Sequence, residues 1–202
     1  MCKLTPKKAA YEHYGGILTE VLTSAQMRGI EAAAIETMQS TGWELMERAG
    51  RAVVSAVFEL WPDLAQAPHH AVVLCGPGNN GGDGFVAASA LVDWGWSVDL
   101  YLFGDLATLP PDAARAAKTW QGRGAVKPFA EAGGAGAADL VIDAMFGTGL
   151  GRPLDGALAD LPAIARKPGG VVVAVDLPSG LCSDSGRVLG AAVTADATIS
   201  FH

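Results

Sequence analysis

The chain has 202 residues, 50% of them hydrophobic and 17% charged. That suits one good-sized α/β domain with its own core and excludes disorder throughout. Its 14 basic and 21 acidic residues leave a net charge of -7, which argues against a non-specific nucleic-acid binder. No apolar run approaches the roughly 18 residues that cross a membrane. The opening MCKLTPKKAAYEHYGGI has lysines but lacks the continuous apolar core of a signal peptide.

Residues 1–20 read as an irregular arm ahead of a domain spanning 21–202. Thr23 and Gln26 have capping-box spacing, and Met27, Ile30, Ala34, Ile35 and Met38 then recur at helical intervals up to a break at Gly42. A second stripe, Met46, Ala49, Val53 and Val57, runs to Pro62. The rest alternates. Short continuous apolar runs at Ala71–Cys75, Val98–Phe103, Leu140–Met145 and Val171–Val175 read as strands covered on both faces, with weaker candidates at Ala125–Phe129 and Ala197–Phe201. Helices are expected between them over Gly84–Trp94, Asp112–Gln121 and Leu154–Arg166, and Glu131–Ala138 as a short helix or surface loop. Alternation of this kind predicts a mainly parallel sheet wound with right-handed crossovers.

Three expected strand ends carry unusual loops: GPGNNGGDG after Cys75, DAMFGTGLGRPLDG from Asp143, and DLPSGLCSDSG from Asp176. Ligands of open parallel sheets bind outside the carboxyl ends of the strands, so the three loops are expected to converge on one crevice. The first loop packs five glycines into Gly76–Gly84, a density that suits a tight turn and a helix N-terminus facing an anion. It is not a dinucleotide fingerprint: Gly76 and Gly78 give a G-x-G, but Asn79 and Asn80 interrupt the pattern. The plain alternative is a tight connection with Asp83 capping the helix. In the second loop Asp143 ends a buried strand, as a functional carboxylate or as a loop anchor. Arg152 there is available for a phosphate or is a solvated surface cation. In the third, Asp176 is a candidate for proton exchange near neutral pH.

None of the 4 histidines lies in these loops, so Ser179 has no partner to activate it as a nucleophile; His69 and His70 are expected to be exposed spacers. Asn80, Asp143 and Ser179 offer oxygen donors with one formal charge among them, which suits a hard monovalent cation. The 3 cysteines (Cys2, Cys75, Cys182) show no metal-ligand spacing. Cys75 reads as a buried free thiol, and a reducing cytoplasm fits best.

Five segments together resemble the YjeF N-terminal domain family: LTSAQMRGIEAAAI (Leu22–Ile35), WELMERAG (Trp43–Gly50), GPGNNGGDG (Gly76–Gly84), DAMFGTGLGRPLDG (Asp143–Gly156) and VDLPSGL (Val175–Leu181). The resemblance implies a Rossmann-like three-layer αβα sandwich with N-terminal helices. It also implies the activity of the family's enzymes, NAD(P)H-hydrate epimerases, which interconvert the R and S hydrates NADHX and NADPHX in nicotinamide cofactor repair.

Carried over by position, Asn79, Asn80, Gly81, Gly82 and Asp83, with Gly147, Thr148, Gly149, Leu150, Gly151, Arg152 and Pro153, are expected to contact the hydrate. Asp176 is expected to contact the modified ring and serve as acid/base. Asn80, Asp143 and Ser179 match the potassium positions, with one K+ per subunit. A dehydratase partner, fused or separate, and a homodimer through the N-terminal helices are also implied, with no membrane or nucleic-acid partner. Family members usually continue past the point where this sequence stops, at Ser200, Phe201 and His202, and often carry a fused C-terminal dehydratase. The resemblance thus leaves two forms open, an epimerase with a separate dehydratase, or the N-terminal part of a bifunctional repair enzyme or a fragment of it. The competing reading is a non-catalytic, ligand- or RNA-associated dimeric scaffold on the same fold; the presence of Asn80, Asp83, Asp143, Asp176 and Ser179 argues against it.

Overall fold

A computed structural model of the chain describes residues 23–37 and 40–201. The expected arm over 1–20, with Cys2 and His13, lies outside the described residues, as do Met38 of the first stripe and His202. Helix α1 (Ser24–Glu36) opens on the expected capping box: Thr23 Oγ1 accepts from Gln26 N at 3.3 Å, and Gln26 Oε1 accepts from Thr23 N at 2.9 Å. It stops before Gly42, with Thr37 Oγ1 donating back to Ala33 O at 2.8 Å. Gly42 instead begins α2 (Gly42–Leu60), because Thr41 and Glu44 form a second capping box just ahead of it. α2 buries Met46, Gly50, Val53, Val54 and Val57.

Six strands follow: β1 (His70–Cys75), β2 (Ser97–Leu102), β3 (Val126–Pro128), β4 (Leu140–Ala144), β5 (Val171–Val175) and β6 (Ala197–Ile199). They form one sheet in the order β3-β2-β1-β4-β5-β6, every neighbouring pair parallel. Chain direction across the sheet reverses between β1 and β4, and at such a switch point a crevice opens beyond the strand C-termini.

On one face Val73, Cys75, Leu100, Ile142 and Val173 pack against α2, α3 (Asn79–Asp93) and α4 (Pro111–Gln121), around Val53, Phe85, Leu91 and Trp120. On the other, Val72, Leu74, Tyr101, Val141 and Val172 meet Phe129, Leu154, Leu158 and Leu161. This second helical layer is thin: α5 (Leu161–Arg166) and short 3-10 turns at Phe129–Gly134 and Gly156–Leu158. The expected α/β sandwich is present.

Two helices depart from expectation. α3 starts at Asn79 rather than Gly84, so most of the glycine-rich segment is helix. Its glycines are there for close approach. A Cβ on Gly84 would sit 2.7 Å from Ala144 Cβ and 2.8 Å from Cys75 Sγ, and one on Gly81 would collide with the Gly76 carbonyl. Tertiary packing thus overrides the roughly 1 kcal/mol that each helical glycine costs. The helix expected over Leu154–Arg166 is confined to Leu161–Arg166, because Gly156 takes a positive φ of 53° and Pro162 fits only a first turn.

Gly84→Ala tests this packing. On an open helix the change would stabilise by about 1 kcal/mol; here overpacking of about 1–3 kcal/mol should dominate. The urea midpoint is expected to fall, and a rise would show that the α3–sheet contact is not limiting.

Candidate active site

The loops after β1, β4 and β5 meet at the switch point. Gly76 N donates to Ala144 O at 3.0 Å, and the Gly76 backbone lies so close to the Met145 carbonyl that no Cβ would fit. The loop after β5 is tied to the same place by a buried carboxylate. Asp143, fully buried at the end of β4, accepts from Ser179 N at 2.8 Å through one oxygen; through the other it accepts from Ser179 Oγ at 2.6 Å and Met145 N at 3.3 Å. Ser179 Oγ in turn accepts from Phe146 N at 2.9 Å. Burial pushes the Asp143 carboxyl up to about 6, against the hydrogen bonds from Ser179 and Met145, which favour the charged form. No cationic side chain is among these partners.

Asp176 follows β5 in a different setting. Its backbone has φ 66°, the one positive value at a non-glycine position among the described residues, and its N–H donates to Ile199 O at 2.8 Å. Asp and Asn tolerate this left-handed region better than most residues, but it remains sparsely populated and such conformations cluster at functional sites. Thr148 N donates to Asp176 Oδ2 at 2.7 Å, and Gly147 passes so close that a Cβ there would collide with that carboxylate. Gly147 is thus required by the proximity of Asp176.

Between these loops lies a cleft of about 460 Å³. Of the residues expected at the site, Asn79, Asn80, Asp83, Gly147, Thr148, Gly149, Leu150 and Asp176 line it. Gly81 and Gly82 are buried within the first turns of α3 instead, and Gly151, Arg152 and Pro153 lie on exposed chain beyond the lining. Asp143 and Ser179 sit behind the wall formed by Met145 and Phe146. Asp83 does not cap α3; the N-cap is Gly78, which has no side chain to offer, so the first N–H groups go without a side-chain cap where Gly78, Asn79 and Asn80 line the cleft.

Both polar atoms of the Asn80 side-chain amide are buried without a hydrogen-bond partner. Buried unpaired amides are costly, and in native sites they mark a missing partner. Of the three residues expected to hold a cation, Asp143 and Ser179 are in contact, and Asn80 brings an unpaired amide oxygen, so the donors are oxygens of the kind a hard cation takes.

Reading the loops alone missed the rest of the wall. Met27 and Arg28 come from α1, and Phe146 and Phe201 add aromatic surface. Arg28 stands four residues after Ser24, which helical periodicity alone would put on the same side, but nothing in the sequence says which side faces the cleft. His69 and His70 are far from this site and are not spacers. They are partly buried at the opposite end of β1, 3.4 Å from Asp139 and 3.5 Å from Asp99 respectively. A second depression of about 420 Å³ along α2, walled by Glu44, Glu47, Arg48 and Arg51, meets none of the three loops.

The family model described as YjeF-related protein N-terminus matches residues 42–202. The chain is 51% identical over 171 residues, 83% of this chain and 80% of the relative, to a protein of Rhodobacter capsulatus named NAD(P)H-hydrate epimerase. Identity to the protein of that name in Roseobacter litoralis is 41% over 205 residues, covering 92% and 90%. The bifunctional NAD(P)H-hydrate repair enzyme Nnr of Vibrio cholerae is 36% identical over 90% of this chain but only 36% of its own length. A crystal structure of yeast ynu0 has the same fold, with a TM-score of 0.75 at 22% identity, covering 90% of this chain and 80% of that one. Sheet order, loop convergence and sequence agree: the chain belongs to the YjeF-related protein N-terminus family.

Proposed function

We propose that this protein epimerises the hydrates of NADH and NADPH, interconverting the R and S configurations at the carbon of the reduced nicotinamide that carries the added hydroxyl. The observation that carries the reading is Asp176: a carboxylate at the cleft wall, held in a strained backbone conformation by its neighbours. The names of the relatives support the substrate, and the size and polarity of the cleft suit a nucleotide.

Epimerisation requires the hydroxyl to leave and return on the other face of the ring. Asp176 delivers a proton to the departing hydroxyl, so that water leaves and the ring nitrogen shares its electron pair to give a planar iminium-like cation. Water then adds from the opposite face while Asp176 recovers the proton. Thr148 N–H fixes one carboxylate oxygen and leaves the other for this exchange. The negative charge of Asp176 also favours the cationic intermediate over the neutral substrate. Ring opening at the same carbon would need the same acid/base.

Asn80, Asp143 and Ser179 fit a potassium ion, one per subunit, on the grounds of the orphaned Asn80 amide and the oxygen-only donors. When bound, it supplies fixed positive charge beside the buried Asp143 and stiffens the loops that Asp143 and Ser179 join. The repair reading brings a dehydratase, fused or separate, that consumes one epimer. It fits a cytoplasmic setting, supported by free thiols at Cys75 and Cys182. Exposed Ile30 and Ile35 on α1 support a homodimer.

Asp176→Asn is expected to lower turnover of R-enriched NADH hydrate by about 10²–10⁴-fold, the usual worth of a positioned acid/base, with an unchanged melting temperature. Gly147→Ala should do nearly as much by displacing the carboxylate. Near-normal turnover in Asp176→Asn would remove its assigned role.

Replacing sodium with potassium should raise the melting temperature of the wild type. Occupancy at a hundred times the dissociation constant gives about 2.7 kcal/mol, several degrees for a domain of this size. Asn80→Ala should abolish the difference; an equal response in wild type and variant would place the ion elsewhere.

A further inference from the structure

The cleft that accepts a dinucleotide must balance charge. Its lining carries two carboxylates, Asp83 and Asp176, and among the described residues one cationic side chain, Arg28. A dinucleotide brings a pyrophosphate with two further negative charges. The first turn of α3, opening at Gly78 and Asn79 on the same rim, offers N–H groups and about half a positive charge. Arg152, the cation the sequence offered for a phosphate, lies outside the lining.

Arg28 is held at the rim by more than its own helix. Ser24 is only 6% exposed, although most of α1 is exposed. Its N–H and Oγ both donate to Asp184 Oδ1, at 2.9 and 2.7 Å, and its Oγ lies 2.7 Å from Ser183 Oγ. Ser183 Oγ donates to Thr148 O at 3.4 Å, and Thr148 is the residue that holds Asp176. The first turn of α1 is thereby clasped to the loops after β4 and β5. Residues three and four positions after Ser24 share its side of a helix, and these are Met27 and Arg28, the two residues of α1 that line the cleft.

On the reading of this cleft as an NAD(P)H-hydrate site, we infer that Arg28 is the specificity residue that pairs with the substrate's pyrophosphate, and that the Ser24–Asp184 clasp positions it. A guanidinium suits this role because its fork of donors matches phosphate oxygens two at a time.

The test uses ADP-ribose, which carries the pyrophosphate without a nicotinamide, and adenosine, which carries neither. Calorimetric titration of the wild type should detect ADP-ribose binding that weakens with added salt. Arg28→Ala should weaken it at least tenfold, Arg28→Lys by less, and adenosine binding should not change. Ser24→Ala, which removes the two hydrogen bonds of Ser24 Oγ from the clasp and leaves the Asp184 charge near Arg28 in place, should weaken ADP-ribose binding with Arg28 intact. In turnover, Arg28→Ala should raise KM for both hydrates with little change in kcat. Equal ADP-ribose binding in wild type and Arg28→Ala, or none in the wild type, would overturn the proposal. A loss confined to the NADPH hydrate would move Arg28 to the ribose phosphate and overturn the pyrophosphate pairing. Asp176→Asn that still binds ADP-ribose but does not turn over would separate this inference from the catalytic reading.

Discussion

The buried carboxylate of Asp143 is the constraint on which the site depends. It stands where β4 ends, and through Ser179 and Met145 it joins the loop after β5 to the loop after β4. A lone buried charge is expensive, and burial raises the Asp143 carboxyl to about 6 rather than leaving it near the usual range. Three hydrogen bonds offset part of that cost, and an adjacent cation would offset more. Remove this carboxylate and the backbone of the loop after β5 loses the anchor that places Asp176 beside Gly147 and Thr148.

Two carboxylates at neighbouring strand ends thus have different work, divided by environment. Asp143 is sealed behind Met145 and Phe146 and joins the loops; Asp176 lines the cleft, where the proposed acid/base role needs it. The glycines divide in the same way. Gly81 and Gly84 let α3 descend onto the sheet and the neighbouring loop, whereas Gly147 leaves room for the Asp176 carboxylate. One residue type, chosen for lack of a side chain, serves helix packing in one loop and the placing of a carboxylate in the next.

The parallel sheet and the meeting of the three loops were legible in the sequence, because buried strands read as short apolar runs and the loops carry their polar residues at the strand ends. Asp143, Asp176 and Ser179 are placed accordingly. The start of α3 was not legible: glycine propensity argues against a helix at Asn79, and what reverses it is close approach, Gly84 to the distant Ala144 and Gly81 to the Gly76 carbonyl of the turn before the helix. α5 was overread because the apolar Leu154 and Leu158 belong to loop and 3-10 turn that cover the sheet. Arg28 escaped for a similar reason. Its place at the cleft is set by Ser24 meeting Asp184, a contact that spans most of the chain.

The most direct test of the account follows loss of the R form when this protein is mixed with R-enriched NADH hydrate, potassium and an S-specific dehydratase. Spontaneous epimerisation is the baseline and sodium the second arm. The account predicts that the protein accelerates loss of the R form well above the baseline, more in potassium than in sodium. No acceleration by folded protein that binds ADP-ribose would contradict it and leave a binding role for the cleft.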